Sequence, residues 1–125
     1  VWEGAMSAAH YKLDNLCAVV DRNRLQISGN TEDVMHHDDL HERFRSFGWH
    51  VIDVKNGNSI EELDAAFEEA KTVKGKPTVL IANTVKGCGS SVMENKASWH
   101  HHVPGDEEYE QIMKDLEERK EAALK

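Results

Sequence analysis

The sequence predicts an α/β protein: a three-layer α/β/α arrangement around a mostly parallel sheet. Three observations carry that expectation. The apolar runs Leu16-Cys17-Ala18-Val19-Val20, Trp49-His50-Val51-Ile52-Asp53-Val54 and Pro77-Thr78-Val79-Leu80-Ile81-Ala82-Asn83-Thr84 have strand length and β-branched content. The stretches between them repeat their apolar residues at helical spacing. The connections are short, and strand–helix alternation with short links gives parallel strands with helices on both faces.

Taken in order, the first helix is expected over about residues 3–13, with Trp2, Met6, Ala9 and Leu13 on one face. No Ser, Thr, Asp or Asn precedes it and the chain does not begin with Met, so it reads as a piece of a longer polypeptide. A short buried strand at 16–21 opens into the polar corner Asp21-Arg22-Asn23-Arg24-Leu25-Gln26-Ile27-Ser28-Gly29, followed by a loop through residues 30–33. Asp38 or Asp39 caps a second helix bearing Leu40, Phe44 and Phe47, and Gly48 supplies its left-handed stop. After the next strand, Asn56-Gly57-Asn58 is a turn. Ser59 with Glu62 forms a capping box ahead of Ile60, Leu63, Phe67 and Ala70, and Gly75 and Pro77 end that helix. The strand ends at 21–25, 55–58 and 86–89 are expected to project from one edge, the edge at which open α/β sheets collect ligands. From about 85 to 105 the periodicity stops in a long loop of functional length. Asp106 is expected to cap a last helix, about 106–125, with Tyr109, Ile112, Met113 and Leu116 on one face and a charged tail from Glu117 to Lys125. All 125 residues fit one domain.

A net charge of −8 without a basic stripe argues against nucleic acid as a partner. No apolar run approaches the roughly 18–20 residues of a membrane span, so a soluble, cytoplasmic protein without a membrane partner is expected. Cys17 and Cys88 lack the spacing of a redox or zinc pair and read as free thiols.

Three segments carry chemistry. Asn23 offers a neutral amide oxygen and Leu25 a main-chain carbonyl, both suited to a hard cation such as Mg²⁺ or Ca²⁺; the same residues also suit an ordinary Asx turn. Lys86 with Gly87-Cys88-Gly89 can meet an anion through a charge and closely approaching N–H groups, or form a plain turn. Trp99-His100-His101-His102-Val103-Pro104 presents three imidazoles able to move protons. With no cysteine nearby a structural zinc site is disfavoured, and the alternative is a polar loop with one histidine packed under Trp99. His36, His37 and His41 are expected at the surface, His10 on a solvated helical face, and His50 on either side of its strand.

The segment Val19-Val20-Asp21-Arg22-Asn23-Arg24-Leu25-Gln26-Ile27-Ser28-Gly29 resembles the second half of the thiamine diphosphate motif of transketolases. Trp2-Glu3-Gly4, Phe47-Gly48-Trp49-His50-Val51-Ile52, Lys76-Pro77-Thr78, Thr84-Val85-Lys86-Gly87-Cys88-Gly89-Ser90 and Trp99-His100 with Pro104 extend the resemblance over nearly the whole chain. The Gly-Asp-Gly that forms the first half of the motif is absent. The resemblance implies an incomplete thiamine diphosphate-binding fold: the later part of the N-terminal domain of a transketolase of the kind made as separate N- and C-terminal subunits. It implies that Asn23 binds the metal through its side chain and Leu25 through its carbonyl, and that Ile27 touches the cofactor's ring system. It places Lys86 and Gly87 beside the cofactor and makes His100 the catalytic histidine, with His102 as the alternative register. Many relatives carry Gly-Lys after that histidine, where this chain has His101 and His102. Glu3 resembles a glutamate buried near the family's subunit interface, and an exposed first-turn glutamate is the alternative.

The implied activity is ketol transfer of two carbons between sugar phosphates, as in the pentose phosphate pathway, with thiamine diphosphate and Mg²⁺ (or Ca²⁺). The implied partners are sugar-phosphate substrates, the upstream segment and a C-terminal subunit. Alone, the chain is expected to be inactive and to self-associate through its incomplete sheet. The alternatives are a non-enzymatic interaction module, or a related enzyme such as a deoxyxylulose-phosphate or dihydroxyacetone synthase.

Overall fold

A computed structural model describes residues 1–37 and 39–124. They form two compact units, Val1–Arg22 with His37–Thr84, and Asn23–His36 with Val85–Lys125.

The first unit holds α1 (Trp2–His10) and β1 (Cys17–Asp21). The second holds β2 (Leu25–Gln26), β3 (Gly29–Asn30) and α2 (Thr31–Val34). The chain returns to the first unit for α3 (Leu40–Ser46), β4 (His50–Val54), α4 (Ile60–Thr72) and β5 (Thr78–Ala82), and ends in the second with a 3₁₀ turn at Ala97–His100 and α5 (Asp106–Ala123).

In the first unit the strands form a parallel sheet in the order β1-β5-β4, with Thr78 beside both Cys17 and His50, and Ala82 beside both Asp21 and Val54. Central β5 is buried along its whole length, as its continuous apolar run requires. One sheet face carries Val79 and Ile81 and packs on Ala5 and Ala8 of α1, Phe44 of α3 and Trp49. The other carries Ile52, Val54, Leu80 and Ala82 and packs on Ala66 and Ala70 of α4. This is the three-layer α/β/α arrangement read from the sequence.

Several details depart from the sequence reading. Helix α1 stops at His10, three residues early, because Lys12 adopts a left-handed φ of 52°. It buries Ala5 and Ala8 instead of Met6 and Leu13, which are exposed; the small residues let the helix sit close enough for Trp49 Nε1 to donate to the Ala5 carbonyl at 2.9 Å. Strand β1 is an edge strand with its α4-side face open, so Val19 is 51% exposed and Cys17 is exposed rather than buried. Helix α4 likewise seats Ala66 and Ala70, leaving Ile60 in solvent and Phe67 beside an open cavity of about 550 Å³ lined also by Leu16, Cys17 and Thr78.

The cap of α3 is Asp39, whose carboxylate accepts the N–H of His41 (2.9 Å) and Glu42 (3.2 Å); Asp38 lies outside the described residues. Gly48 ends this region at φ 87°. Ser59 caps α4 by accepting the Glu62 N–H at 3.3 Å. Asp106 does not cap α5 but begins it, the capping position being Gly105. Of the face expected on α5 only Ile112 is buried; Tyr109, Met113 and Leu116 are exposed.

Candidate functional site

The three parallel strands end together at Asp21, Val54 and Ala82. Just beyond them Thr84 donates to the Asp21 carboxylate, and the Asn83 amide donates to Asp53 at 2.9 Å and to the Val54 carbonyl at 3.0 Å. Asp53 also meets His41 Nε2 at 3.0 Å, so His41 is a half-buried bridging residue and not the surface histidine expected. A side-chain bond between residues so far apart leaves no periodic signal in the sequence.

All the sequence-predicted site residues fall in the second unit. The Asn23 amide oxygen accepts the Leu25 N–H at 2.9 Å, closing an Asx turn, with Arg24 between them at a left-handed φ of 62°. Such a conformation in a non-glycine residue costs of order 1 kcal/mol and persists where the surroundings fix it. Strands β2 and β3 pair antiparallel with Leu25 opposite Asn30, and the Thr31 N–H donates to the Arg24 carbonyl at 2.9 Å. Bonded and non-bonded pairs alternate in an antiparallel ladder, so the Leu25–Asn30 pair is non-bonded and the Leu25 carbonyl is turned off the hairpin. The Asn23 oxygen keeps one lone pair beyond its bond to Leu25. Two neutral hard oxygens two residues apart fit a cation of the Mg²⁺ or Ca²⁺ class that draws its remaining ligands from phosphate and water. No cluster of three or more His, Cys, Asp or Glu able to hold a metal occurs among the described residues.

Ile27 stands at the hairpin tip, 63% exposed, an apolar side chain with room for an apolar ligand surface. Strand β2 packs against the 3₁₀ turn that ends in His100, which brings the Asn23–Leu25 corner and the histidine segment together.

Within that segment the three histidines differ. The His102 ring stands edge-on to Trp99, 4.5 Å between centroids at 88°, and its Nε2 lies 2.9 Å from the Glu108 carboxylate. It is the histidine packed against Trp99, so the alternative register of the catalytic residue falls on a side chain already engaged. His100 and His101 are exposed, with their rings 6.3 Å apart. Glu108 also accepts the Gly105 N–H at 2.9 Å at the start of α5. The His102 bond first, and then that N–H, hold its carboxyl below the usual range. A depressed folded value contributes above the ordinary carboxylate value of about 4.3 and is lost as pH falls through the folded one. The loop-to-α5 junction is therefore expected to loosen on acidification. Replacing His102 with alanine should move the Glu108 titration, followed by its carboxyl ¹³C signal, upward; an unmoved titration would refute the assignment.

Residues 85–96 form a tight turn. The N–H groups of Cys88 and Ser90 donate to the carbonyls of Val85 and Gly87, and that of Gly89 donates to the Glu94 carboxylate at 2.8 Å. These amides are spent within the turn, contrary to the expected anion cradle, and anion contact there rests on half-buried Lys86 and on Gly87. Gly87 has φ 70°, and a Cβ on it would lie 2.5 Å from the Met93 Cβ and 2.9 Å from the Met93 carbonyl carbon. Gly87→Ala is accordingly expected to destabilise the protein by about 1–3 kcal/mol, read as a lowered denaturation midpoint; an unchanged midpoint would contradict the packing described.

No helix among the described residues is long and apolar enough to cross a membrane. A family model described as the thiamine diphosphate binding domain of transketolase matches residues 1–122. An apulose-4-phosphate transketolase subunit from Phocaeicola vulgatus is 46% identical over 119 residues, which span 95% of this chain and 42% of that protein. Human transketolase is 42% identical over 117 residues, 93% of this chain and 18% of that protein. The crystal structure of Campylobacter jejuni transketolase matches with a TM-score of 0.85 at 28% identity, covering 92% of this chain and 18% of that one. The chain thus spans well under half the length of the curated relatives it matches.

Proposed function

The chain belongs to the transketolase family through its thiamine diphosphate-binding domain, and from that premise we propose that it forms part of an enzyme transferring a two-carbon ketol unit between sugar phosphates. The single observation that carries the site assignment is the Asn23–Leu25 corner: an amide oxygen with a lone pair to spare, a carbonyl turned off its hairpin, and a left-handed Arg24 between them, all beside the segment bearing His100.

In this reading Asn23 and Leu25 hold Mg²⁺, or Ca²⁺ in its place, against a diphosphate, and Ile27 covers an apolar ring. Lys86 places a positive charge beside the diphosphate, with Gly87 allowing the backbone to come close. Thiamine diphosphate, when bound, supplies the nucleophilic carbon and the electron sink for ketol transfer. The protein's part is to orient the sugar and handle its protons. His100 lies exposed at the end of the 3₁₀ turn, while His102 is tied to Trp99 and Glu108, so His100 is the residue we assign to hold or move a proton at a substrate hydroxyl.

The protein ligands to the metal include no carboxylate at this corner, so the chain by itself is expected to bind Mg²⁺ weakly and to transfer no ketol unit. The activity belongs to an assembly that includes the rest of the transketolase and its C-terminal subunit, and in which self-association of these chains is expected. We place it in the cytoplasm, a reading supported by the two free cysteines. The test is calorimetric titration of thiamine diphosphate with Mg²⁺ into the chain, followed by a ketol-transfer assay after the remaining transketolase segments are supplied. Mg²⁺-dependent binding and restored transfer are expected. Binding indifferent to Mg²⁺, or no transfer in an assembly shown to form, would overturn the proposal.

A further inference from the structure

We propose that one polar stripe of α5, running through Glu108, Gln111, Asp115 and Arg119, is a strap that sets the position of the 85–105 loop, with Asp115 as a positioning residue that acts through Ser91. The four residues stand at i, i+3, i+7 and i+11 and so share one face of the helix. Loop and helix belong to the same compact unit. The loop contains no strand or α-helix, so beyond its own turns it depends on side chains of a regular neighbour to hold it in place.

Asp115 makes the firmest of these contacts. Its Oδ2 accepts both the backbone N–H of Ser91 at 2.6 Å and the Ser91 hydroxyl at 2.7 Å, while its Oδ1 accepts the Gln111 amide at 2.7 Å, which leaves the carboxylate little freedom to turn. The Ser91 hydroxyl first, then the Ser91 N–H and the Gln111 amide, hold its carboxyl below the usual range. The acceptor is therefore charged at neutral pH, and bonds to a charged acceptor are the stronger kind.

The same stripe reaches both ends of the loop. Toward the start of the helix Glu108 holds His102 and Gly105. Toward its end Arg119 lies over the glycine turn: its Nη1 is 3.4 Å from Cys88 Sγ and would be 2.6 Å from a Cβ on Gly89. The loop is thus held near residue 88, at residue 91 and again at 102–105 by one helix. Lys86 adjoins the first hold and His100 the last. The catalytic part of the inference rests on the ketol-transfer reading of this loop; the strap itself does not. A shift of about 1 Å in a reacting group can cost roughly 10²-fold in rate, so a contact remote from the chemistry can still govern it.

The test has two arms. In the chain itself, Asp115→Ala should raise amide hydrogen exchange severalfold over residues 88–102 and leave the first unit unchanged. In the assembled enzyme it should lower kcat/KM by roughly 10–100-fold with the thermal midpoint nearly unmoved. Asp115→Asn, which keeps an oxygen for Ser91, should recover most of that loss, and Ser91→Ala added to Asp115→Ala should cost nothing further. Glu110→Ala, which removes the same charge from the opposite face of α5, is the control and should leave activity as it is. Unchanged exchange in Asp115→Ala would overturn the strap, as would an equal loss of kcat/KM in Glu110→Ala. Absence of ketol transfer in the unaltered assembly would instead overturn the functional reading, and the exchange result would then decide the strap by itself.

Discussion

Replacing His100 with alanine is expected to lower kcat of the assembled enzyme by roughly 10²–10⁴-fold, the range for loss of a positioned acid–base group. Stability and Mg²⁺-dependent cofactor binding should hardly move. The separation follows from the packing: His100 is exposed at the end of its turn, so its removal leaves no buried cavity. His102→Ala is the control with the opposite profile. It removes the ring that stands against Trp99 and bonds Glu108, so it should loosen the segment and affect both binding and rate. Equal losses of kcat in the two variants would mean that the segment's shape, and not the His100 imidazole, is what matters.

Leu80→Ala is expected to destabilise the first unit by about 2–5 kcal/mol, the usual cost of truncating a buried leucine. Leu80 is fully buried at the centre of β5, between β1 and β4, and packs under Ala66 and Ala70 of α4. Those alanines are too short to reach into the space vacated. Set against the roughly 5–15 kcal/mol that keeps a domain folded, such a loss is a large fraction of the total. Chemical denaturation would check it: the midpoint should fall with little change in slope. Ile60→Ala, at a residue 80% exposed, should do almost nothing, although the sequence periodicity places Ile60 on the apolar face of its helix.

That contrast marks what the sequence could and could not disclose. Strand–helix alternation, the Ser59 cap and the Gly48 stop were legible because they are local, each set by the conformational demands of a few consecutive residues; the Glu62 half of the expected capping box is not formed, its carboxylate accepting the Asn56 N–H instead. The buried side of α1 and α4 was not. Periodicity identifies an apolar stripe but cannot tell that neighbouring alanines sit closer to the sheet; Ala5, Ala8 and Ala66 took the positions expected for Met6, Leu13 and Phe67, while Ala70 is buried as the periodicity expects. The open face of β1 depends on its place in the order β1-β5-β4, which no stretch of its own residues encodes.

The candidate site divides in the same way. The Asx turn at Asn23 and the special conformation of Gly87 could be read from residue types. The engagement of His102 and the bridging of His41 to Asp53 required contacts that only folding creates. Of the two readings of the Gly87-Cys88-Gly89 segment, the turn is formed with the N–H groups of Cys88, Gly89 and Ser90 bonded inside it, which glycine content alone does not disclose.

The site assignment rests on two oxygens, and paramagnetic relaxation tests them directly. Mn²⁺ substituted for Mg²⁺ and added with thiamine diphosphate to ¹⁵N-labelled chain should selectively broaden the Asn23 side-chain amide and the backbone signals around Leu25. Asn23→Ala should abolish the effect. Broadening confined to the acidic faces of α4 and α5, with residues 23–25 untouched, would contradict it.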